Sequence, residues 1–479
     1  MKNKTFKFEI VVVLIVAAFL IGVLLIKPII GVADNGDFER IMNTTGLRYI
    51  TSDYNERYFN FVNREYITTY PFVNGVGYFS SQVILVLLAK LISSTILFNK
   101  EVFDIRFLAA IYCFLFLLSI YIIAKYNKRS IATINFISII LMLLIFTDLG
   151  YISYFNSLYG EALSYTSLLL TVAISVYLSK TKEPHILALF GFYVSVFFLA
   201  SAKIQNIPIG IVFALFSLLF LRLRRDKKWK KMIVTCVTTI FILSAASYFL
   251  IPSVFRVCNK YQSVFYGVLK NSQSPQADLE ELGLKSEYAS LSGTNYFMKE
   301  YPINIKDARF ESEINSKISP LKVALFYFKH PKRYVQKLEI TANNAFNLIQ
   351  GFGNYEKVYS EKPKKEVHYF RMWNDFKVNF LPHSLTFLLL FFGTYTVILT
   401  KQYLKAGEVN EKIYFGTFLI IMIIGCIQFV VPIICDGEAD LSKHLFLFNV
   451  CFDIMFIYMS VWFIEWMFKA FKGRSWRRV

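Results

Sequence analysis

The chain has 479 residues, of which 56% are hydrophobic and 18% aromatic. This hydrophobic content exceeds that of ordinary soluble domains and indicates an integral membrane protein. The formal net charge is +19, but the basic residues lie in short loops between apolar segments and form no single patch, so nucleic acid is not an expected partner.

Apolar segments of roughly 20 residues, enough to cross about 30 Å of hydrocarbon, recur along the whole chain. Ten of them are predicted to cross the membrane: 9–31, 105–124, 131–150, 161–179, 186–200, 207–221, 232–251, 381–400, 413–434 and 445–468. The first is too long for a cleavable signal peptide. An eleventh segment, 78–98, is weaker because Lys90 lies at its middle.

Lysine and arginine in short loops mark the cytoplasmic side of a membrane protein. The basic tail at 472–478 and the basic loops at 222–231 and 125–129 therefore predict that both termini are cytoplasmic. Two cytoplasmic termini require an even number of crossings. We therefore interpret 78–98 as an interfacial or re-entrant helix on the outer side, with a short amphipathic span as the alternative.

This topology divides the chain into three parts. Residues 1–251 form an N-terminal transmembrane module whose first external loop is 32–104, residues 252–380 form an external helical subdomain, and residues 381–479 return to transmembrane helices. Within the subdomain, 320–351 predicts one or two amphipathic helices near the membrane, divided at Pro331. The predicted fold class is an all-α integral membrane protein with about ten transmembrane helices, external juxtamembrane helices and one large external subdomain.

Polar residues collect at the predicted outer ends of the spans, where a charge is costly unless it is paired or functional. Asp34 and Asp37 follow the first span, and later outer loops supply Asn156, Glu161, Lys203, Lys443 and His444. Each has an ordinary alternative as a turn residue, a helix cap, a snorkelling lysine or part of a loop ion pair. Their shared side, more than any single residue, predicts a site. The six cysteines include no CxxC pair and indicate neither a metal site nor a disulfide framework.

Two motifs carry a family resemblance. Asp34-Asn35-Gly36-Asp37-Phe38 after the first span and Phe155-Asn156-Ser157-Leu158-Tyr159-Gly160-Glu161 resemble the GT-C superfamily of lipid-linked-sugar glycosyltransferases, with bacterial surface-glycan hexose transferases as the nearest branch. The resemblance covers roughly residues 8–221. It implies a polyprenyl-phosphate sugar donor, a glycan or lipid-linked acceptor outside the cell membrane, and a catalytic carboxylate in the first external loop.

Such an inverting transfer needs a base for the acceptor hydroxyl and cations for the leaving phosphate. The carboxylates are spaced Asp-x-x-Asp instead of lying side by side, which leaves open which one is the base. We prefer Asp34, which lies nearest the interface, so that Asp37 orients the acceptor or holds a metal ion. A divalent metal is possible but not required.

The remaining polar residues are expected to bind substrate. Lys203, Lys443 and His444 are candidates for holding the phosphate, together with Arg309 from the large external region, while Glu161 and Asn156 complete the candidate substrate-binding set. Two other functions stay open. A transporter or flippase of lipid-linked sugars is expected to show repeats and spans broken near the midplane, and neither is clear here. A glycan polymerase or ligase is expected to use external arginines and a histidine in place of an early acidic motif.

Overall fold

The computed structural model describes residues 7–72, 77, 80–129 and 131–475. The helices are α1 (Phe8–Leu20, continued by a π-helix at Ile21–Leu25), α2 (Phe38–Thr45), α3 (Tyr54–Arg57), α4 (Gln82–Ile96), α5 (Arg106–Tyr126), α6 (Ala132–Phe146), α7 (Leu149–Ile152), α8 (Gly160–Lys180), α9 (Ile186–Ala202), α10 (Ile207–Ser217), α11 (Lys227–Phe249), α12 (Ser253–Tyr261), α13 (Pro275–Glu281), α14 (Ala308–Lys317), α15 (Pro320–Lys329), α16 (Pro331–Asn343), α17 (Met372–Phe380), α18 (Leu385–Lys405), α19 (Val409–Cys435), α20 (Leu441–His444) and α21 (Phe446–Ser475). The strands are β1 (Leu47–Tyr49), β2 (Glu65–Thr68) and β3 (Val102–Asp104).

Within the described part of the chain, eight helices are long and apolar enough to cross a membrane. A ninth crossing results if α6 and the segment Leu149–Asn156, which are bent by 46° relative to each other, form one span. The tenth predicted segment, 186–200, corresponds to α9, an apolar helix of 17 residues. Every predicted crossing thus coincides with an apolar helix or a bent pair, and the chain is a mainly helical, multi-pass membrane protein.

Helix α8 lies at the centre of the bundle. Its apolar stretch is 94% buried, against 17% for the stretches in α11 and α18. It packs against α5, α9, α19 and α21. We call the end of the bundle that carries residues 26–72, 80–105 and 252–384 the site end. The other end, which carries the basic loops at 127–129 and 223–226, is the far end.

The first loop contains a small sheet that the sequence analysis did not predict. Strands β1, β2 and β3 pair antiparallel in that order, with Tyr49 opposite Tyr66 and Tyr66 opposite Phe103. Arg64 and Arg106 both bind the buried Asp104 carboxylate at 2.7 Å, and Arg106 also donates to the Leu25 carbonyl at the end of the first span. Strands of three or four residues are too short for their alternation to be visible in the sequence.

Helix α4 corresponds to the doubtful segment 78–98. Its 15 residues span about 22 Å, less than the hydrocarbon thickness. The Lys90 ammonium group donates to the carbonyls of Thr45 and Gly46 at 2.5 and 3.1 Å, so it closes the C-terminal end of α2. Lys90 therefore has a structural role in capping α2. The length of α4 fits the predicted interfacial position.

Residues 261–327 have a hydrophobic core of their own, built around Tyr261, Phe265, Leu291 and Phe310, whereas Leu348, Val367 and Trp373 pack into the main core of the bundle. Helices α15 and α16 meet at Pro331, which confirms the predicted division. One face of α15 leaves its apolar side chains exposed (Leu321, Leu325 and Phe328), a pattern typical of helices that lie on a membrane.

An extended segment of this region packs directly on the first loop. The Ala33 amide donates to the Gly353 carbonyl and the Gly353 amide donates to the Phe59 carbonyl, both at 2.9 Å. A Cβ atom at Gly353 would lie 1.9 Å from the Asn60 carbonyl oxygen, so only glycine fits there. The first loop and the 252–380 region are thus joined next to the acidic motif.

Candidate active site

The acidic motif folds into a tight turn around the Asp34 carboxylate. One carboxylate oxygen accepts hydrogen bonds from the amides of Gly36 and Phe38 at 2.8 and 3.0 Å, and the other accepts one from the Tyr49 hydroxyl at 2.6 Å. Gly36 has φ +104°, a conformation that favours glycine. Asp34 thereby holds the start of α2 and is only 1% exposed.

Burial dominates the electrostatics of Asp34. It raises the pKa of Asp34 to about 7, although the hydrogen bonds from Tyr49 and the Phe38 amide act in the opposite direction. The carboxyl group of Asp34 is therefore poised to exchange a proton near neutral pH, but its contacts occupy both oxygens.

Asp37 lies in a different environment at the N-terminus of α2. Its carboxylate binds Arg40 at 2.7 Å and forms a second ion pair with Lys443, and its side chain is 29% exposed. Burial acts to raise the pKa of Asp37, but Arg40 and Lys443 outweigh it and hold the pKa well below its usual range. Asp37 is thus an ionised, partly accessible carboxylate.

Lys443 reaches Asp37 from the short helix α20, which precedes α21. Its side chain is only 5% exposed, and its ammonium group also donates to the Asn35 side chain at 3.2 Å and lies 4.3 Å from the centre of the Tyr159 ring. Burial acts to lower the pKa of Lys443, but the nearby carboxylates of Asp37 and Glu161 raise it overall. Lys443 therefore remains a cation.

A second ion pair lies beside the first. Lys203, which follows α9, binds the Glu161 carboxylate at the start of α8 at 2.7 Å. A Cβ atom at Gly160 would lie 2.8 Å from the Lys203 side chain, so this glycine permits the close approach. The Glu161 side chain is 2% exposed and the Lys203 side chain is 23% exposed, so the lysine side chain stays partly accessible.

We call Asp37, Glu161, Lys203 and Lys443 the charge cluster. Its two carboxylates and two ammonium groups come from four separate regions of the chain and influence one another: Lys443 interacts electrostatically with both carboxylates. The structure thus brings together four of the predicted site residues. Asp34 lies next to them, in the same turn as Asp37.

Tyr159 connects the two sequence motifs. Its hydroxyl accepts from the Asn35 amide at 2.8 Å and donates to the Ala33 carbonyl at 3.0 Å, while its ring packs edge-on against Phe38 at 4.6 Å. The two motifs therefore form one structure, although 124 residues separate Asn35 from Tyr159.

Asn156 has a structural position instead of a place in the charge cluster. Its amide nitrogen donates to the carbonyls of Leu24 and Ile30, both at 2.8 Å, and the residue is 1% exposed. These two bonds hold the turn that leads from the first span to the acidic motif. Asn156 thus helps to position Asp34 and Asp37 by fixing the segment that precedes them.

His444 lies next to the charge cluster and has its own partners. Its ring binds the Asp436 carboxylate at 2.8 Å and the Gln205 side chain at 3.1 Å, and Gln205 in turn bonds Gln428. Arg309 is exposed on α14, and within the described residues no hydrogen bond or ion pair joins its guanidinium group to the charge cluster.

No group of three or more histidine, cysteine, aspartate or glutamate side chains converges as a metal site within the part of the chain that the structure describes.

Another ion pair, not predicted from the sequence, is fully buried between α17 and α21. Lys377 of α17 binds Asp453 of α21 at 3.1 Å, and both side chains are fully buried. The Lys377 ammonium group also donates to Asn449 at 2.8 Å, and the Tyr151 hydroxyl donates to Asp453. The signal was present, because Asp453 is a carboxylate inside an apolar span.

Comparison with known proteins adds one match. No curated protein and no solved structure matches the chain. The family model for the YfdI N-terminal transmembrane domain matches residues 1–477. The chain, with its charge cluster at one end of a multi-helix bundle, therefore belongs to the YfdI N-terminal transmembrane domain family.

Proposed function

We propose that the chain is an inverting membrane glycosyltransferase that transfers a hexose from a polyprenyl-phosphate sugar to a cell-surface glycan acceptor outside the membrane. The observation that carries the proposal is the charge cluster. Two ammonium groups that suit a phosphate lie there, one of them paired with a partly exposed carboxylate that suits a hydroxyl. They lie at the end of a membrane bundle, where a lipid-linked donor presents its head group.

Within this proposal, Asp37 is the better candidate for the base. A base must come within hydrogen-bond distance of the acceptor hydroxyl. The Asp37 side chain is 29% exposed, whereas both Asp34 oxygens are engaged and the residue is 1% exposed. Asp34 then acts as a positioning residue that holds the start of α2. The preference for Asp34 that rests on sequence alone stays the competing prediction.

The proposed reaction balances with these groups. Asp37 accepts the acceptor's hydroxyl proton, the acceptor oxygen forms a bond to the anomeric carbon, and the bond from that carbon to the phosphate oxygen breaks on the opposite face. The electron pair leaves with the phosphate, which Lys443 and Lys203 stabilise by charge. A phosphate that engages Lys443 also weakens its hold on Asp37, which makes that carboxylate a stronger base.

A transporter is the second candidate, because Lys377 and Asp453 form a buried pair about 10 Å into α21. However, this pair is fully engaged: Lys377 also binds Asn449, and Asp453 also binds Tyr151. Such a closed network favours a structural role. The partly exposed charges lie at the end of the bundle, which favours the transferase.

The test measures sugar transfer from a polyprenyl-phosphate hexose by purified protein in detergent. For Asp37→Asn we expect turnover to fall roughly 100- to 10,000-fold while the unfolding temperature changes little. Asp307→Asn is the matched control, since Asp307 caps α14 on the exposed surface. If Asp34→Asn shows the larger loss, Asp34 is the base. If both variants keep near-normal turnover, the proposed reaction is wrong.

A further inference from the structure

A cavity lies inside the helix bundle, between α5, α6, α8, α19 and α21. The space between its lining atoms amounts to about 560 Å³, part of which is open to the outside. Along α6 its wall runs from Ser138 to Phe146, about 12 Å. The opposite wall is apolar and includes Leu169, Val172 and Val176 of α8. A mainly apolar space of this length suits part of a hydrocarbon chain.

Arg129 lies at the far end of this cavity. Its guanidinium group approaches Glu465 and the Tyr414 hydroxyl only at 3.4 and 3.3 Å. Its Nε atom is buried and has no hydrogen-bond partner among the described residues. A buried donor without an acceptor costs about 1–3 kcal/mol, so an acceptor from a ligand would be favourable here.

The surroundings of Arg129 are basic. Lys125 lies in the last turn of α5, Lys128 directly precedes Arg129, and Lys180 lies 4.1 Å from the centre of the Tyr414 ring. The nearby carboxylates are Glu465, Glu411, which interacts electrostatically with Lys180, and Glu9, which binds Lys128. Positive charge therefore exceeds negative charge at the mouth of the apolar cavity, which favours an anionic head group.

We propose that the cavity binds one anionic phospholipid, with an acyl chain between α6, α8 and α21 and the phosphate at Arg129. Arginine binds phosphate oxygens through charge-assisted hydrogen bonds. The bound chain would fill the space between α6 and α8 and so fasten α6, which packs against α21 and α17. This site is independent of the charge cluster, which lies at the other end of the bundle.

The test uses native mass spectrometry of the whole purified chain with phosphatidylglycerol or phosphatidylcholine of identical acyl chains. We expect one phosphatidylglycerol to bind roughly tenfold more tightly than phosphatidylcholine. Arg129→Gln should remove this preference, and the control Arg225→Gln, which changes an exposed arginine at the same end, should keep it. Ser138→Leu, which fills part of the cavity, should weaken binding of both lipids.

A phospholipid with a photoreactive group in its acyl chain gives a readout on the unmodified protein. We expect cross-links to α6, α8 and α21. Cross-links only to other helices, equal binding of the two head groups, or unchanged binding by Arg129→Gln would each overturn the proposal. Tighter binding of polyprenyl phosphate than of phosphatidylglycerol would overturn the phospholipid as the occupant.

Discussion

Lys443 and Asp37 lie 406 residues apart in the chain and form an ion pair at the site end of the bundle. The lysine is nearly buried, whereas the aspartate keeps part of its surface accessible. Burying a lysine is unfavourable unless a carboxylate compensates it, so the two positions depend on each other. The last part of the chain therefore completes the acidic motif that follows the first span.

Replacing Lys443 tests its role toward the phosphate. For Lys443→Met we expect turnover in the sugar-transfer assay to fall roughly 100- to 1,000-fold, because one group that stabilises the leaving charge is lost. Lys285→Met is the control, since Lys285 is an exposed lysine outside the charge cluster. Normal turnover of a folded Lys443→Met protein would remove Lys443 from the proposed mechanism.

The buried Lys377–Asp453 pair predicts a large effect on stability. Removing one partner leaves a buried charge uncompensated, so we expect Lys377→Met to destabilise the protein by roughly 3–5 kcal/mol. The double variant Lys377→Met/Asp453→Leu should lose less than the single variant, because no lone charge remains. Thermal unfolding in detergent compares the two, and equal losses would mean that the charges do not compensate each other.

The pKa of Asp34 predicts a pH dependence. The folded-state pKa is about 7, above the value of about 3.9 for an exposed aspartate. The folded state therefore favours the neutral form of Asp34. This preference stabilises the fold by at most about 4 kcal/mol; the stabilisation is complete below pH about 4 and is lost as the pH rises through about 7. Asp34→Asn lacks this titration, so its unfolding temperature should rise relative to the unmodified protein between pH 4 and 8. Parallel curves would contradict the buried, titrating carboxyl group.

Cysteine labelling tests the predicted orientation of the chain. Asn99 is exposed beyond α4, and Gly407 is exposed between α18 and α19. In a background without the six native cysteines, Asn99→Cys should react with an impermeant maleimide on intact cells. Gly407→Cys should react only after the membrane is opened. The reverse pattern would invert the topology and move the charge cluster to the cytoplasmic side.

The helices were predictable because long apolar runs are a strong signal and because basic loops mark their ends. The short strands β1 to β3 were not, since three or four residues leave no visible period. The sequence also predicted that Asp37, Glu161, Lys203 and Lys443 share one end of the bundle, and the structure brings these four together.

Sequence reasoning did not separate the roles of neighbouring residues. Asp34 and Asp37 are three residues apart, yet one caps a helix and the other pairs with cations; the difference depends on Tyr49 and Lys443, which come from distant segments. Asn156 belongs to a predicted site motif, but its bonds to main-chain carbonyls become visible only once the helices are packed.

The close fit of Gly353 against Asn60 has a consequence for how the protein is made. The ribosome adds Asn60 almost 300 residues before it reaches Gly353, and it adds Lys443 later still. During synthesis the acidic motif therefore enters the membrane before the segment at Gly353 can pack against it and before Lys443 can pair with Asp37. An insertion intermediate that ends before residue 353 should expose the first loop to proteases, and the site should assemble only as the last helices enter the bilayer.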